Sequence, residues 1–439
     1  MTKQIKSKSI AVLMNGIPVG TLTKASTGVL SFQYEHSWLA TDQSRPVSLS
    51  LPLRAEVYNG EVVYHFFDNL LPDSDRIRAR IQQRFQLAST QPFDLLEAIG
   101  YDCVGALQIC DPGRMTNLTE IVADPLTDDD IERILSQYHL NPLGMEGNQS
   151  DFRISIAGAQ EKTALLWHRN RWWRPKGVTP SSHIFKLPIG KLVHHNLDLS
   201  ESCENEWLCL QIAKAYGLRA ANAEILRFGR QKALVVERFD RKWSKDGGWL
   251  IRLPQEDMCQ ALGISSNLKY QSDGGPDIAR IMKLLLGSFN AHEDRREFFK
   301  SIVFFWLLAA PDGHAKNFSI QILPGGRFSL TPIYDILSFY PYISSFMREK
   351  EIKMAMALRG KSNHYHWTYL QKRHFASTAV HSGFSPDEAL AIVRGMLEIT
   401  ENVVSNVRRL LPTDFPKDVS EPILDRLLQL ARSQMSTES

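Results

Sequence analysis

The sequence predicts an α+β chain of two lobes with an additional N-terminal α/β domain, and three observations predict it. Its 439 residues are more than one small core organises. Strand-like alternation dominates residues 151–253, while helical periodicity dominates residues 254–439. A polar, turn-rich stretch, residues 111–150, sets both apart from residues 1–110. A strand-rich part followed by a helix-rich part fits two lobes, and clefts between lobes bind ligands.

Residues 1–110 mix strand-like runs (SIAVLMNG, GVLSFQYE, YHFFDNLLP) with helical ones (DSDRIRARIQQRF, PFDLLEAIG), as a small α/β unit does. In residues 111–150, DPGRMTNLTE and NPLGMEGNQSD flank one short helix, IERILSQYH, so a domain boundary falls there. Residues 151–241 read as strand, turn, strand, strand, helix, strand, strand. From residue 254 the pattern is mainly helical, interrupted by one hairpin. There are no repeats or low-complexity tracts.

Lys+Arg 51 against Asp+Glu 48 leaves a net charge of +3, not the strongly basic body of a dedicated nucleic-acid binder. Locally, Arg348, Lys350, Lys353, Arg359, Lys361, Lys372 and Arg373 form a basic stretch able to meet DNA phosphates, although such runs are usually solvated faces. Cys103, Cys110, Cys203, Cys209 and Cys259 are scattered, without CxxC spacing, and read as core thiols of a reducing compartment. His194, His195, His364 and His366 lack the i, i+4 spacing of a helical zinc site, and Trp172 and Trp173 read as packing residues. The apolar run at residues 10–14 is too brief for a secretory signal, and no stretch nears the roughly 18 apolar residues of a membrane span. The expectation is a cytoplasmic protein without membrane contact.

The chemistry concentrates in AAPDGHAKNFSI. The preceding run, FFKSIVFFWLLA, is apolar enough to be a buried helix, and Pro311 ends that pattern, so Asp312 to Asn317 forms a loop on a core helix. FSIQIL, PGGR and FSLTPIYDIL then make a hairpin, which returns the chain so that Asp335 ends near Asn317. Two hard-oxygen side chains there suit Mg²⁺ on a nucleotide, whose phosphates and waters complete the octahedron. Protein kinases use an Asp, an Asn five places on, and an Asp after a hairpin for this purpose. The bland alternative is that Asp312 and Asn317 cap a turn and Asp335 caps a helix.

A kinase-like fold makes upstream demands. DFRISIAGAQEKTALLW offers a small-residue turn at Ala157, Gly158 and Ala159 between strands, whose NH groups would face phosphates. No Walker A pattern is present, and an ordinary hairpin turn is the competing reading. In HIFKLPIG, Lys186 is a charge inside a strand, which an anionic phosphate would satisfy; otherwise it snorkels from an edge strand. Glu201, Glu204 and Glu206 on the next helix are candidate partners, with the choice open. ALVVERFDR ends a strand at Glu237, Arg238 and Phe239, where a connection between lobes would face adenine, or else Glu237, Arg238, Asp240 and Arg241 make a surface ion pair.

Taken together, DFRISIAGAQEKTALL, HIFKLPIG, ERFDR, RLPQEDMCQALG, DGHAKNFS and YDIL resemble the HipA family of serine/threonine kinases, and FFDNLLPDS and PFDLLEAIGYDCVGALQI resemble its N-terminal domain. The resemblance spans nearly the whole chain. One departure is Pro311 before Asp312, where a small polar residue is expected. The resemblance implies ATP and Mg²⁺ as cofactors and a toxin role, with glutamyl-tRNA synthetase as the acceptor and growth arrest (persistence) as the outcome. It also implies a small HipB-like helix-turn-helix antitoxin dimer as partner, and through that complex an operator DNA and transcriptional autoregulation.

The site residues follow. Asp312 is the expected base or orienter, with His314 and Lys316 stabilising charge on the transferring phosphoryl. Asn317 and Asp335 are the expected metal ligands. Nucleotide contacts are expected from Ile156, Ala157, Gly158, Ala159, Gln160, Glu161, Lys162, Lys186, Glu237, Phe239, His314, Asn317, Tyr334 and Asp335. Alternation in DFRISIAG puts Ser155 on the polar face of its strand, and the resemblance marks it as an autophosphorylation site. Two other classes compete: a catalytically weak corepressor acting with a DNA-binding antitoxin, and a metal phosphohydrolase.

Overall fold

This computed structural model describes residues 7–110, 119–137, 143, 155–158, 160–192, 197–343 and 348–436. The chain forms two compact units. One is built from Met1–Leu187, Leu226–Asn267 and Ile320–Phe328, the other from Pro188–Ile225, Leu268–Ser319 and Ser329–Ser439.

The first unit opens with an antiparallel sheet. Strands Lys8–Met14, Ile17–Lys24, Leu30–Tyr34 and Tyr58–Asn59 lie side by side in that order, and Leu107–Cys110 pairs with the other edge of Lys8–Met14. The first hairpin turns at Asn15-Gly16, both at positive φ, as a two-residue hairpin turn requires. One expectation fails here. YHFFDNLLP reads as strand-like, yet Glu61–Asp68 is a helix whose Val63, Phe66 and Phe67 turn inward at i, i+3 and i+4. Aromatic, β-favouring residues hid that period. The helices expected at DSDRIRARIQQRF and PFDLLEAIG are Asp75–Phe85, capped by Ser74, and Pro92–Ile99, with proline in its first turn.

A six-stranded sheet follows, in the order Ala223–Phe228, Gln231–Glu237, His183–Lys186, Lys162–His168, Arg171–Pro175, Ala123–Pro125. Helix Asp128–Ser136, held at its start by a Thr127–Asp130 capping box, buries Ile131, Ile134 and Leu135 against Leu165, Phe185 and Val235 of this sheet. Trp172 packs edge-on against Phe185 at 4.9 Å, as a packing residue does. The strand expected to lead into the phosphate turn falls on residues 151–154, outside the described residues. Ser155 and Ile156 belong to no strand.

The second unit is mainly helical, with Ser202–Ala215, Ala291–Leu307, Lys372–His381, Pro386–Leu410 and Lys417–Ser436 around Phe299, Phe304, Trp306 and Phe375. The greasy run is the C-terminal half of Ala291–Leu307, but Pro311 does not end it. The helix stops at Leu307, and Ala309 takes a left-handed φ of 45° before the proline is reached. The expected hairpin is Ser319–Ile322 and Phe328–Leu330, turned by Gly325 and Gly326 at positive φ; its stretch Ile320–Phe328, with Gln255–Asp257 as a third strand, belongs to the first unit. A second hairpin, Lys353–Arg359 with Asn363–His366, was not expected, because its first strand buries consecutive residues, Met354 to Leu358, and shows no alternation. All five cysteines are buried, and none is joined in a disulfide. Among the described residues no helix is long and apolar enough to cross a membrane.

Candidate active site

In the second unit the core helix delivers a rigid polar loop. Gly313 sits so close to the Phe305 ring that a Cβ there would lie 2.7 Å from it, so the loop folds tightly onto the helix only with glycine. Asp312 stays half exposed, while His314, Lys316 and Asn317 are buried. Asn317 is the keystone: its amide donates to the carbonyls of Asp312 at 2.7 Å and Asp335 at 3.1 Å. The loop and the residue after the hairpin are thereby fixed to one another, leaving Asn317 Oδ1 as the group available to a cation. Asp335 caps no helix. It adopts a left-handed φ of 60°, a conformation that costs energy and is concentrated at functional sites.

His314 is 3.9 Å from Asp312 through Nε2, and its Nδ1 has no hydrogen-bond partner among the described residues. Burial holds its pKa below the ordinary histidine value, with Asp312 opposing the shift. That direction favours the neutral imidazole. Tyr334 donates its hydroxyl to the Lys316 carbonyl at 2.8 Å and shares a 2.5 Å bond with Ser319, so its hydroxyl braces the loop.

In the first unit the turn at Ala157 and Gly158 is anchored, not splayed between strands. Gly158 has a φ of 106°, forms a parallel bridge with Pro72, and its carbonyl accepts from Asp73 N at 3.1 Å. Lys162 Nζ donates to the Ala157 carbonyl at 2.8 Å and lies 2.5 Å from where a Gly158 Cβ would stand, so a side chain at 158 would collide with it. Gln160 donates to the Leu187 carbonyl, Glu161 pairs with Arg80, and Ile156 is buried. Ala159 lies outside the described residues. Ser155 does not sit on a polar strand face: it is fully buried, its Oγ donating to the Leu70 carbonyl at 2.6 Å and its N to the Asp102 carbonyl at 3.1 Å.

Lys186 is buried on an interior strand, which removes the edge-strand alternative, and it stands directly opposite the buried Lys162. Glu204 and Glu206 are buried on Ser202–Ala215 in the second unit, and Glu201 precedes it. Strand Gln231–Glu237 ends with Glu237 exposed and Phe239 half-buried. Arg238, Asp240 and Arg241 are not a surface ion pair. They are buried with Arg252 around Asp102, which receives Arg241 at 2.8 Å, Arg252 at 3.2 Å and Ser181 Oγ at 2.5 Å. Burial works to raise the Asp102 pKa, but the three guanidiniums hold it well below the usual carboxylate range.

Sequence reasoning missed two residues here. Asp102 gave a faint signal, a lone acid inside the apolar run IGYDCVGAL. Tyr270, whose hydroxyl donates to Asp312 Oδ1 at 2.5 Å and whose ring meets His314 edge-on at 5.0 Å, gave none. The basic stretch is partly occupied internally: Arg348 pairs with Glu351, Arg359 bonds Asn363 and Lys372 bonds the Gln434 carbonyl, while Lys350, Lys353 and Lys361 stay exposed. His364 stacks on His374 at 4.3 Å, and among the described residues no group of three or more His, Cys, Asp or Glu assembles for a metal. His194 and His195 lie outside the described residues.

An Asp-x4-Asn loop, an Asp held beside it and a buried strand lysine are parts of the kinase class of phosphotransferase. Comparison with known proteins agrees. Residues 154–406 match the HipA-like C-terminal domain and residues 10–110 the HipA N-terminal domain, so the chain belongs to the HipA family of kinases. It is similar to a Sinorhizobium fredii protein bearing a kinase name, Y4mE, at 33% identity over 75% of this chain and 77% of that one. It is also similar to the serine/threonine-protein kinase toxin HipA of Shewanella oneidensis, at 27% identity over 80% of this chain and 79% of the other. Among solved structures, Shewanella oneidensis HipA in complex with HipB and operator DNA shares the fold, with a TM-score of 0.81, 23% identity and 97% of each chain covered.

Proposed function

We propose that this chain is a Mg·ATP-dependent protein serine/threonine kinase acting as the toxin of a toxin–antitoxin module. The observation that carries the reading is Asn317, whose amide ties the carbonyls of Asp312 and Asp335 together. Asn317 and Asp335 offer oxygen donors alone, which suits Mg²⁺ on a polyphosphate. Bound there, the ion would neutralise charge developing on the phosphates.

The chain's own residues do the rest. Asp312, half exposed, orients the acceptor hydroxyl and takes its proton. His314 and Lys316, beside it, stabilise charge on the transferring phosphoryl. Lys186, the backbone of the turn from Ile156 through Gln160, and Lys162 hold phosphates, while Glu237 and Phe239 meet the adenine. Lobe assignments follow the sequence boundaries: an N-terminal domain to residue 110, a connecting region to 150, an ATP lobe to 253 and a helical lobe beyond.

In the finer reading the partner is a HipB-like antitoxin dimer and operator DNA is reached through that complex, with autoregulation as the result, which the Shewanella oneidensis HipA–HipB–DNA complex supports. Glutamyl-tRNA synthetase as acceptor, a cytoplasmic setting, growth arrest and self-modification at Ser155 rest on the sequence resemblance to the HipA family alone. Because Ser155 is buried and bonded to Leu70, the turn has to leave its anchor before that hydroxyl is modified.

Purified chain incubated with radiolabelled Mg·ATP, alone and with glutamyl-tRNA synthetase, tests the activity and its acceptor. Label on the synthetase supports both, and label on the chain alone supports only the kinase. No label on either leaves a binding module, and free phosphate without any acceptor leaves a phosphohydrolase.

A further inference from the structure

An open cleft of about 490 Å³ lies in the second unit, lined among others by Tyr270, Lys353, Met354, His364, Tyr365 and Tyr369. Its walls are the segments that brace the catalytic loop. Ala355 N donates to the Pro311 carbonyl at 2.8 Å, and Ala315 N to the Lys269 carbonyl at 3.2 Å. Gln271 ties the walls together by accepting from Ala357 N at 2.7 Å. Tyr270 belongs to both places: it lines the cleft, and its hydroxyl donates to Asp312 at 2.5 Å.

A kinase acceptor hydroxyl has to reach the carboxylate at hydrogen-bond distance, and here a phenol hydroxyl already stands at that oxygen. Exchanging one O–H donor for another on a carboxylate costs little net free energy. The cleft beside it has the volume of a ligand site, and its rings bear polar tips that suit main-chain amides and flanking side chains. Tyr369, 60% exposed, is a large aromatic left at solvent, the kind of residue that anchors a partner. A second polyphosphate is the poorer fit, since Lys353 is the sole Lys or Arg lining the cleft among the described residues.

We propose that this cleft receives the extended polypeptide segment flanking the acceptor serine or threonine, and that the Tyr270 hydroxyl holds the acceptor's place on Asp312 until it docks. The proposal rests on the kinase reading. On docking, the acceptor hydroxyl displaces Tyr270 from Asp312. Its oxygen then bonds the γ-phosphorus as the bond from that phosphorus to the β–γ bridging oxygen breaks. The proton passes to Asp312, and ADP departs with the electron pair.

The test uses the full chain with a degenerate peptide library, each member bearing one central serine and a benzophenone side chain two positions away. Photo-crosslinking in the presence of a non-hydrolysable ATP analogue is mapped by mass spectrometry, and label transfer from radiolabelled ATP to the same library is measured in parallel. Adducts on Met354, Tyr365 or Tyr369 are expected. Transfer with adducts elsewhere, or with none, overturns the proposal and spares the kinase. Adducts in the cleft without transfer uphold the docking segment and sink the kinase reading. Neither signal overturns both. Tyr270→Phe keeps the ring on His314 and removes the competing donor, so it should lower the acceptor KM by about two- to tenfold and speed acceptor-independent ATP hydrolysis. If neither parameter moves, the place-holding role of Tyr270 is wrong. Tyr369→Ala should raise the acceptor KM by about tenfold and shift kcat much less; the reverse split counts against docking.

Discussion

Asn317 donates its side-chain amide to the main-chain carbonyl of Asp335 at 3.1 Å, and this bond, with its 2.7 Å companion to Asp312, holds the two ends of the candidate catalytic segment together. Replacing Asn317 by Asp removes both donors and sets a carboxylate against two carbonyls. The loss of buried hydrogen bonds should cost about 1–3 kcal/mol of stability, read as a lower urea midpoint. It should also weaken Mg·ATP binding. A variant with the midpoint and the nucleotide affinity of the wild type would show that the amide is not the brace.

Asp312 and Asp335 separate by their roles. Asp312→Asn keeps the loop's shape and an acceptor for Tyr270 while losing the proton-accepting charge, so phosphotransfer should fall about 10²- to 10⁴-fold with ATP affinity largely kept. Asp335→Asn tolerates the left-handed backbone, since Asn visits that region readily, yet gives up the charge. Calorimetry should show weaker ATP binding with Mg²⁺ present and little change without it. Equal losses in both conditions would remove Asp335 from the metal.

Ser155 makes a third case. A phosphate adds roughly −1.5 to −2 charge to a side chain that is fully buried and bonded to the Leu70 carbonyl, so the modified turn has no room to stay anchored. Mapped modification at Ser155 should go with lost Mg·ATP affinity and with faster proteolysis near Gly158. Its rate should rise with protein concentration, because a serine just before its own phosphate turn reaches another molecule's γ-phosphate more easily than its own. Phosphorylated chain that binds Mg·ATP as tightly as the unmodified chain would end the idea of a switch.

What was legible from the sequence follows contact range. Asp312 and Asn317 are five residues apart on one loop, and a hairpin turn carries Asp335 back to them, so local rules sufficed. The Ser155 bond spans 85 residues, the Tyr270 bond 42 and the Arg238–Asp102 contact 136, and no periodicity encodes such pairings. Where composition misled, burial was the cause. ERFDR reads as a solvated charge run because the counter-charge of Arg238 and Arg241, Asp102, comes from a distant segment. Lys186 was recognisable as a charge in a strand, but its interior place depends on strands that pair with it from both sides.

That buried network predicts a large stability effect. Asp102→Asn leaves Arg238 and Arg241 with Asp240 alone and Arg252 with no carboxylate partner among the described residues, and breaking a buried pair from one side typically costs about 3–5 kcal/mol. The variant should unfold at markedly lower urea or fail to accumulate in soluble form. A loss below about 1 kcal/mol, the scale of an exposed pair, would mean that water reaches the cluster.

Glu256 supplies a pH dependence of opposite origin. Its carboxyl is fully buried, accepts from Leu49 N at 2.8 Å, and has Asp257 as a like-charged neighbour. Burial foremost pushes its pKa up to about 8. Unfolded, the same group titrates near 4.3. Between those values the folded chain keeps a proton that the unfolded chain has lost, so this group's contribution to stability falls as pH rises through the window and levels off above about 8. Glu256→Gln keeps an oxygen for Leu49 N and cannot ionise. It should therefore be more stable than the wild type at pH 8.5, by on the order of a few kcal/mol, with the advantage vanishing toward pH 5. Urea midpoints of both proteins at pH 5, 7 and 8.5 decide it: parallel pH profiles would show that Glu256 ionises in the folded chain at no cost, through solvent or a counter-ion reaching its buried oxygen.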